Sequence, residues 1–161
     1  MDLVLASASP RRQALLKEIG IGFTAMSQDI DESPLPDELP ETLVKRLALS
    51  KARAALSSLS DEDQRLVLGS DTIVVCNQTI LGKPEDKAQG LAMLRLLANQ
   101  KHQVMTAVAL MNREQEAQSM SVTEVKFKPL SDGEIEAYWE SGEPADKAGA
   151  YAVQGLGAMF V

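Results

Sequence analysis

Aromatic side chains, cysteine and long apolar runs are scarce in this sequence. Aromatic residues occupy 4% of the 161 positions, so aliphatic side chains and alanine are expected to build most of the core. No apolar run approaches the ~20 residues that a membrane-spanning helix needs. The single cysteine excludes an internal disulfide, and no secretion signal is recognised at the start. The sequence therefore predicts a cytoplasmic protein with no membrane partner.

Positive charge is also in short supply. The formal net charge is −7, whereas a protein that coats nucleic acid needs a basic face. No nucleic-acid partner is expected, and DNA binding is the weakest of the functional alternatives. A polyanionic ligand would need a local cationic pocket in an otherwise acidic molecule. The sequence leaves the oligomeric state open, with a homodimer among the alternatives.

The one cysteine and the one histidine do not form a plausible nucleophile and base. Cys76 ends an apolar run, and His102 begins a predicted strand without an acidic neighbour. A catalytic pair needs a base that a third group orients. We interpret Cys76 as a core thiol and His102 as a structural residue, which excludes a cysteine hydrolase.

Hydrophobic spacing predicts a single α/β domain over residues 1–161, built on a mixed sheet flanked by helices. A buried strand is predicted at residues 3–6, and Ser9-Pro10 is a typical helix start, with Leu15 and Ile19 facing the core. A second helix is predicted from residue 40 to about 56 and a third from Pro84. The remaining strands are predicted at residues 22–27, 66–68, 72–76, 79–81, 102–111 and 117–127. A capping box at residues 131–134 predicts the last helix.

Four basic residues stand where packing and helix polarity disfavour them. Arg11 and Arg12 fall in the first turn of a helix, whose partial positive charge attracts anions and repels cations. Lys51 lies within an apolar helical face, and Lys83 directly precedes the predicted start at Pro84. Each is also compatible with an ordinary solvated side chain. Together with backbone N–H groups, two arginines at a helix start favour a phosphate site.

Acidic residues complement these cations. Asp71 follows an apolar strand, at the kind of strand end where ligand sites collect in α/β proteins. Asp29, Asp31 and Glu32 cluster in a predicted loop, and carboxylates are preferred ligands of hard cations. A turn-forming Asp and a solvated acidic loop are the alternatives. Cations and carboxylates in combination suit a metal-bound polyphosphate.

Six ordered segments resemble the Maf proteins, which are house-cleaning nucleotide pyrophosphatases related in fold to the inosine triphosphatases. The segments are LASASPRRQALL, LALSKARA, LGSDTIVV, LGKP, HQVMTAVAL and SGEPADKAGAYAVQGLG. The resemblance runs from residue 3 to residue 161. It implies a Maf-like α/β fold with a central cleft. The family pattern continues with a further strand and helix, so the resemblance also implies that this chain lacks them.

The resemblance implies a role for each out-of-place residue. Asp71 would accept a proton, and Glu32 and Asp71 would hold a divalent metal, Mg²⁺ or Mn²⁺. The triphosphate would be contacted by five side chains, those of Ser7, Arg11, Arg12, Lys51 and Lys83. The base would be selected by Arg12, Thr72 and Gln154.

Within the family, the same positions imply a substrate. Members that prefer dTTP and UTP tend to carry both arginines, a Thr after the motif Asp and a late Gln, as this chain does at Arg11, Arg12, Thr72 and Gln154. The implied reaction hydrolyses dTTP or UTP to the monophosphate and pyrophosphate. Two alternatives stay open: a 7-methyl-GTP or inosine-type pyrophosphatase, and a nucleotide-binding regulator of cell division without catalysis.

Overall fold

The computed structural model describes residues 2–161, with only the backbone of Asp2. These residues form an open mixed sheet of six strands flanked by four α-helices, which confirms the predicted fold class. The elements in chain order are β1 (Asp2–Leu5), α1 (Pro10–Glu18), β2 (Gly22–Ala25), α2 (Pro40–Ser57), β3 (Leu66–Cys76), β4 (Thr79–Leu81), α3 (Lys87–Leu97), β5 (Lys101–Met111), β6 (Glu116–Lys126) and α4 (Asp132–Glu140). Three short 3₁₀ helices follow at Glu143–Asp146, Ala148–Ala150 and Leu156–Phe160.

The strand order is β2-β1-β3-β5-β6, and β4 pairs with β3 outside this path. β1 lies parallel to both β2 and β3, with Leu5 opposite Leu68. β4 returns antiparallel to β3 through Asn77 and Gln78, which both have positive φ as a tight hairpin turn requires. Within residues 2–161, no helix has the length and hydropathy to cross a membrane.

Three predicted features are wrong. β3 continues without a break through residues 69–71, where turn-like residues had predicted two separate strands. α1 buries Leu16, whereas the predicted core positions Leu15 and Ile19 are 54% and 68% exposed. α3 begins at Lys87 because the Asp86 side chain accepts a hydrogen bond from the Gln89 N–H, so Pro84 lies in the preceding loop.

The chain divides into two compact units, each with its own core. The first contains the chain as far as Asp71 together with Thr106–Ser121. Here Leu3, Leu5 and Leu16 pack with Phe23, Leu66 and Leu68. α2 buries an aliphatic face made largely of Leu and Ala, as its spacing predicted. That the whole chain forms one domain stays a prediction.

The second unit contains Thr72–Met105 and Val122–Val161. Its core contains Phe127, Tyr138, Tyr151 and Phe160 among mainly aliphatic residues, as the composition predicted. The Phe127 ring meets those of Tyr151 and Phe160 edge to face at 4.7 and 5.7 Å, and Tyr138 meets Phe160 at 4.9 Å. Such pairs stabilise a core beyond the area that they bury. Cys76 is buried in the same core, as predicted.

His102 is also buried in the second unit. Its Nε2 lies 2.7 Å from the Tyr151 hydroxyl, and Nδ1 has no hydrogen-bond partner among the described residues. Burial lowers the pKa of His102, because an imidazolium here would lose its hydration. The backbone of Gln100 acts in the opposite direction, less strongly.

His102 should therefore make stability depend on pH. The neutral ring is favoured in the folded state, so the unfolded chain binds the proton more readily. The stabilisation is complete above the ordinary imidazole pKa and is lost as pH falls towards the lower folded value, at up to about 1.4 kcal/mol per pH unit. Urea unfolding between pH 5.5 and 8 should show this slope in the wild type and a flatter one in His102→Gln. Equal slopes in the two proteins would contradict the argument.

Candidate active site

Six of the predicted site residues lie close together in the first unit. β1 ends beside an internal part of the longer parallel strand β3, because Leu5 lies opposite Leu68 and the Ala6 N–H donates to the Leu68 carbonyl at 2.8 Å. Ser7 directly follows β1. Asp71 lies inside β3, so the prediction that it follows the end of a strand is wrong. α1 begins three residues after Ser7, so Arg11 and Arg12 lie in its first turn, as predicted.

Lys51 lies between two carboxylates. Its Nζ donates to Asp71 Oδ1 at 2.6 Å and forms an ion pair with Glu32 Oε1 at 2.7 Å. Lys51 and Asp71 are 8% and 5% exposed, so the ammonium does not reach along the helix to solvent. Two oxygens within 2.7 Å of one nitrogen must be neighbours, which places the loop carboxylate of Glu32 beside the strand carboxylate of Asp71.

Gly69 explains why the α2 lysine reaches the β3 carboxylate. A Cβ at this position would lie 2.1 Å from the Ala48 carbonyl oxygen and 2.7 Å from the Ala52 nitrogen. Only glycine allows the helix backbone to approach the strand this closely. Because side chains alternate along a strand, Asp71 shares the face of Gly69 and therefore also faces α2, where Lys51 lies one turn from Ala48.

The loop that carries Glu32 is tied to α2 by an arginine. Arg46 forms two hydrogen bonds with the Glu38 carboxylate, at 2.6 and 2.8 Å, and donates to the Ser33 carbonyl at 3.0 Å. The Asp31 carboxylate accepts a hydrogen bond from the Ser33 N–H within the same loop. Of the predicted acidic cluster, Glu32 therefore reaches Lys51, while Asp31 stabilises the backbone next to it.

Arg12 adds a positive charge to the site, and Ser7 holds its guanidinium group. Ser7 Oγ accepts hydrogen bonds from the Ser9 N–H at 3.1 Å and from Arg12 Nη1 at 3.2 Å. Burial lowers the pKa of Arg12, and the charges of Asp71 and Glu32 oppose this effect. Arg12 therefore lies within the electrostatic field of both carboxylates and is held at the start of α1. The Ser9 N–H is used by Ser7 and Pro10 has none, so the N–H groups of Arg11 and Arg12 are the helix-start donors that could reach an anion.

Asp71 has the electrostatic character of a base. Burial raises the pKa of its carboxyl group above the usual value, while the charge and hydrogen bond of Lys51 lower it. Glu32 raises it further and Arg12 lowers it. The net upward shift makes the carboxylate more basic than an exposed Asp, while the Lys51 ammonium favours its ionised form.

The donor set fits a divalent cation held together with a substrate. Two carboxylates from separate segments already share one positive charge in the structure. No group of three or more His, Cys, Asp or Glu side chains suited to a metal occurs in the described residues. Mg²⁺ commonly takes one or two protein carboxylates and completes its shell with phosphate oxygens and water. Glu32 and Asp71 would supply the protein ligands here.

Three predicted site residues belong to the second unit. Lys83 is exposed in the loop after β4, and because α3 starts at Lys87, the prediction that Lys83 directly precedes a helix start is wrong. That loop is tied to the Ala148–Ala150 segment, since the Gly149 N–H donates to the Gly82 carbonyl at 3.0 Å. Thr72 is half-buried in β3, directly after Asp71. Gln154 is exposed in a turn at residues 153–155.

Sequence reasoning missed the residues that position the charged groups. Gly69 and Arg46 have no reactive chemistry, yet they set the approach of α2 and the course of the Glu32 loop. The signal available for Gly69 was a glycine inside an apolar strand, which often marks close backbone approach. Arg46 lacked a signal, because its partners lie in a loop without regular spacing.

The described residues thus define an α/β protein with a buried lysine bridging two carboxylates beside an arginine-bearing helix start. The sequence model of the Maf family, described as Maf-like protein, matches residues 2–161. This chain therefore belongs to that family. It is 49% identical over 160 residues to a dTTP/UTP pyrophosphatase of Pseudoalteromonas atlantica, covering 99% of this chain and 83% of the relative. It is 52% identical to a dTTP/UTP pyrophosphatase of Shewanella oneidensis over 166 residues, covering 100% and 86%.

A solved structure supports the fold. The Ham1 protein of Staphylococcus aureus superposes with a TM-score of 0.52 over 79% of this chain and 72% of that protein. Its sequence identity of 14% carries no functional argument. The family relation and the shared fold agree with the mixed sheet described above.

Proposed function

We propose that the protein is a nucleoside triphosphate pyrophosphatase that hydrolyses dTTP and UTP to the monophosphate and pyrophosphate. The observation that carries the proposal is the Lys51 bridge between Glu32 and Asp71 beside the arginines of α1. We infer the substrates from the relatives, which are dTTP/UTP pyrophosphatases, and we infer the reaction type from the residues of the site. We place this activity in the cytoplasm, where it would remove unwanted nucleotides from the pool.

The basic residues bind the triphosphate. Arg11 and Arg12 offer guanidinium donors at the start of α1, where the backbone N–H groups also favour an anion. Ser7 holds Arg12 through its hydroxyl oxygen and can donate its own O–H to a phosphate. Lys51 and Lys83 add point charges that offset negative charge on the departing pyrophosphate.

Asp71 moves the proton. A water molecule forms a new bond to the α-phosphorus while the bond from that phosphorus to the bridging oxygen breaks, and pyrophosphate leaves with the bonding electrons. The Asp71 carboxylate accepts the proton that the water loses. Its raised pKa favours this transfer, and Lys51 fixes its orientation through Oδ1. A divalent ion held by Glu32 and Asp71 would neutralise phosphate charge and align the triphosphate.

Thr72 and Gln154, together with Arg12, are proposed to select the base. A glutamine amide can match both the N3–H donor and the adjacent carbonyl acceptors of uracil and thymine. This matching argues against a 7-methyl-GTP enzyme, and we do not favour a regulator without catalysis, because the carboxylate and lysine needed for hydrolysis are assembled. A homodimer stays a prediction, and no nucleic-acid or membrane partner is proposed.

Pyrophosphate release from a panel of triphosphates tests the proposal. At fixed Mg²⁺, dTTP and UTP should be cleaved with a higher kcat/KM than dCTP, dGTP, dATP, 7-methyl-GTP and ITP. Chelation of the metal should abolish release, and Mn²⁺ should restore it. Preferred cleavage of 7-methyl-GTP or ITP would replace the substrate assignment. Tight dTTP binding without pyrophosphate release would favour the regulator.

A further inference from the structure

The turn that carries Gln154 is held by a carboxylate. Glu143, in the first of the 3₁₀ helices, accepts from the Leu156 N–H at 2.9 Å on Oε2 and from the Gly157 N–H at 3.2 Å on Oε1. These two donors begin the last 3₁₀ helix, directly after the turn at residues 153–155. One side chain therefore fixes the backbone on the C-terminal side of Gln154.

A buried phenol holds both the carboxylate and the other side of the turn. The Tyr138 hydroxyl donates to Glu143 Oε1 at 2.6 Å and accepts from the Ala152 N–H at 3.1 Å. Tyr138 is 4% exposed, and its ring packs edge to face on Phe160. Tyr138 and Glu143 thus form a clamp with anchors at residue 152 and at residues 156–157, which flank the turn.

The backbone around the turn is fitted to this clamp. A Cβ at Gly155 would lie 2.1 Å from Glu143 Oε2, and one at Gly157 would lie 2.7 Å from the Tyr138 hydroxyl oxygen. Burial alone raises the pKa of Glu143, but the hydrogen bonds from Tyr138, Leu156 and Gly157 outweigh it and leave the pKa below its usual value. The group is therefore a carboxylate at neutral pH, and its hydrogen bonds are charge-assisted.

We infer that Glu143 and Tyr138 are positioning residues that fix the turn bearing Gln154 and thereby set base selectivity. The inference rests on the proposed function. The clamp acts through the backbone of the turn and not through a contact with the substrate. Its effect is to restrict the conformations of Gln154 before the nucleotide binds, which lowers the entropic cost of ordering the turn on binding.

Glu143→Gln and Tyr138→Phe test the clamp with little change in volume. The glutamine amide would place an NH₂ group against a backbone N–H, and phenylalanine would lose both hydrogen bonds of the hydroxyl. Glu140→Gln is the matched control, because Glu140 ends α4, the helix that carries Tyr138, but pairs with Lys87 at the surface. Thermal unfolding identifies any variant that is not folded.

Two readouts are needed. Amide hydrogen exchange at Leu156 and Gly157 should become about tenfold faster or more in Glu143→Gln, because a charged hydrogen bond is lost. The ratio of kcat/KM for dTTP over dCTP should fall about tenfold in both clamp variants, mainly through a higher KM for dTTP. Adding Gln154→Ala to Glu143→Gln should cost no more than Gln154→Ala alone, since both changes remove one function.

The outcomes separate the inference from the proposed function. Unchanged exchange in Glu143→Gln would overturn the clamp, whatever the activity. Faster exchange with selectivity equal to that of Glu140→Gln would overturn the link to base choice and leave the pyrophosphatase intact. A wild-type protein that releases no pyrophosphate from dTTP or UTP would refute the proposed function and base selectivity with it, while exchange would still decide whether Glu143 holds the turn.

Discussion

Asp71→Asn should lower kcat by about 10²–10⁴-fold, the usual contribution of a positioned general base. The amide keeps the size of the carboxyl group and can still accept the Lys51 hydrogen bond through Oδ1. It cannot accept a proton from water at neutral pH. The fold should therefore persist while the chemical step is lost, with KM changing less than kcat.

Single-turnover and steady-state pyrophosphate release at saturating Mg²⁺ measure this effect. Asp132→Asn makes the same chemical change on the surface of α4, where Asp132 pairs with Arg95, and should retain wild-type turnover. A urea unfolding curve for each variant checks that the protein is folded. Near-normal turnover by Asp71→Asn with metal present would remove its role as base.

Lys51→Met should have the second largest effect. The substitution removes a buried ammonium that contacts both Glu32 and Asp71, so kcat/KM should fall by about 10²–10³-fold, comparable to loss of one preorganised donor at a transition-state charge. Methionine retains an unbranched side chain in the aliphatic face of α2. Lys51→Arg keeps the charge and should recover part of the activity.

Lys51→Met should also change how the free energy of unfolding depends on pH. Lys51 lowers the pKa of Asp71, so its removal should raise that pKa further above the usual carboxyl value. A folded-state pKa above the unfolded one stabilises the protein at pH below the unfolded value, and this contribution is lost as pH rises through the folded value. Metal-free Lys51→Met should thus lose more unfolding free energy at pH 8 than at pH 5, relative to wild type. A loss independent of pH would contradict this assignment.

Local signals in the sequence were sufficient where structure depends on neighbouring residues. Ser9-Pro10 located the start of α1 and hence Arg11 and Arg12, because a helix start is defined within one turn. The capping box at Ser131 and Glu134 is formed with both of its hydrogen bonds. The apolar period of α2 indicated that Lys51 lies on the buried face. It did not indicate that Glu32 and Asp71 are its ionic partners.

Long-range contacts decided the features that the sequence did not predict. Gly69-Ser70-Asp71 resembles a turn in isolation, yet α2 packs on this segment and β3 stays extended through it. In α1, Leu16 is the residue that is buried in the core. The apolar periodicity did not distinguish Leu16 from Leu15 and Ile19. The Glu143 clamp depends on residues 138, 152, 156 and 157, and their pairing is visible only once the backbone is folded.

Because residue 69 is a glycine, this protein could be inactivated without the loss of any charged or reactive side chain. A single methyl group there would push the helix off the strand and open the gap between an amine and a carboxylate that now touch. A protein altered in this way would retain every ionisable group and its full net charge, yet those groups would no longer work as a unit. Surveys that score damage by lost charge or lost reactive groups would pass over such a lesion.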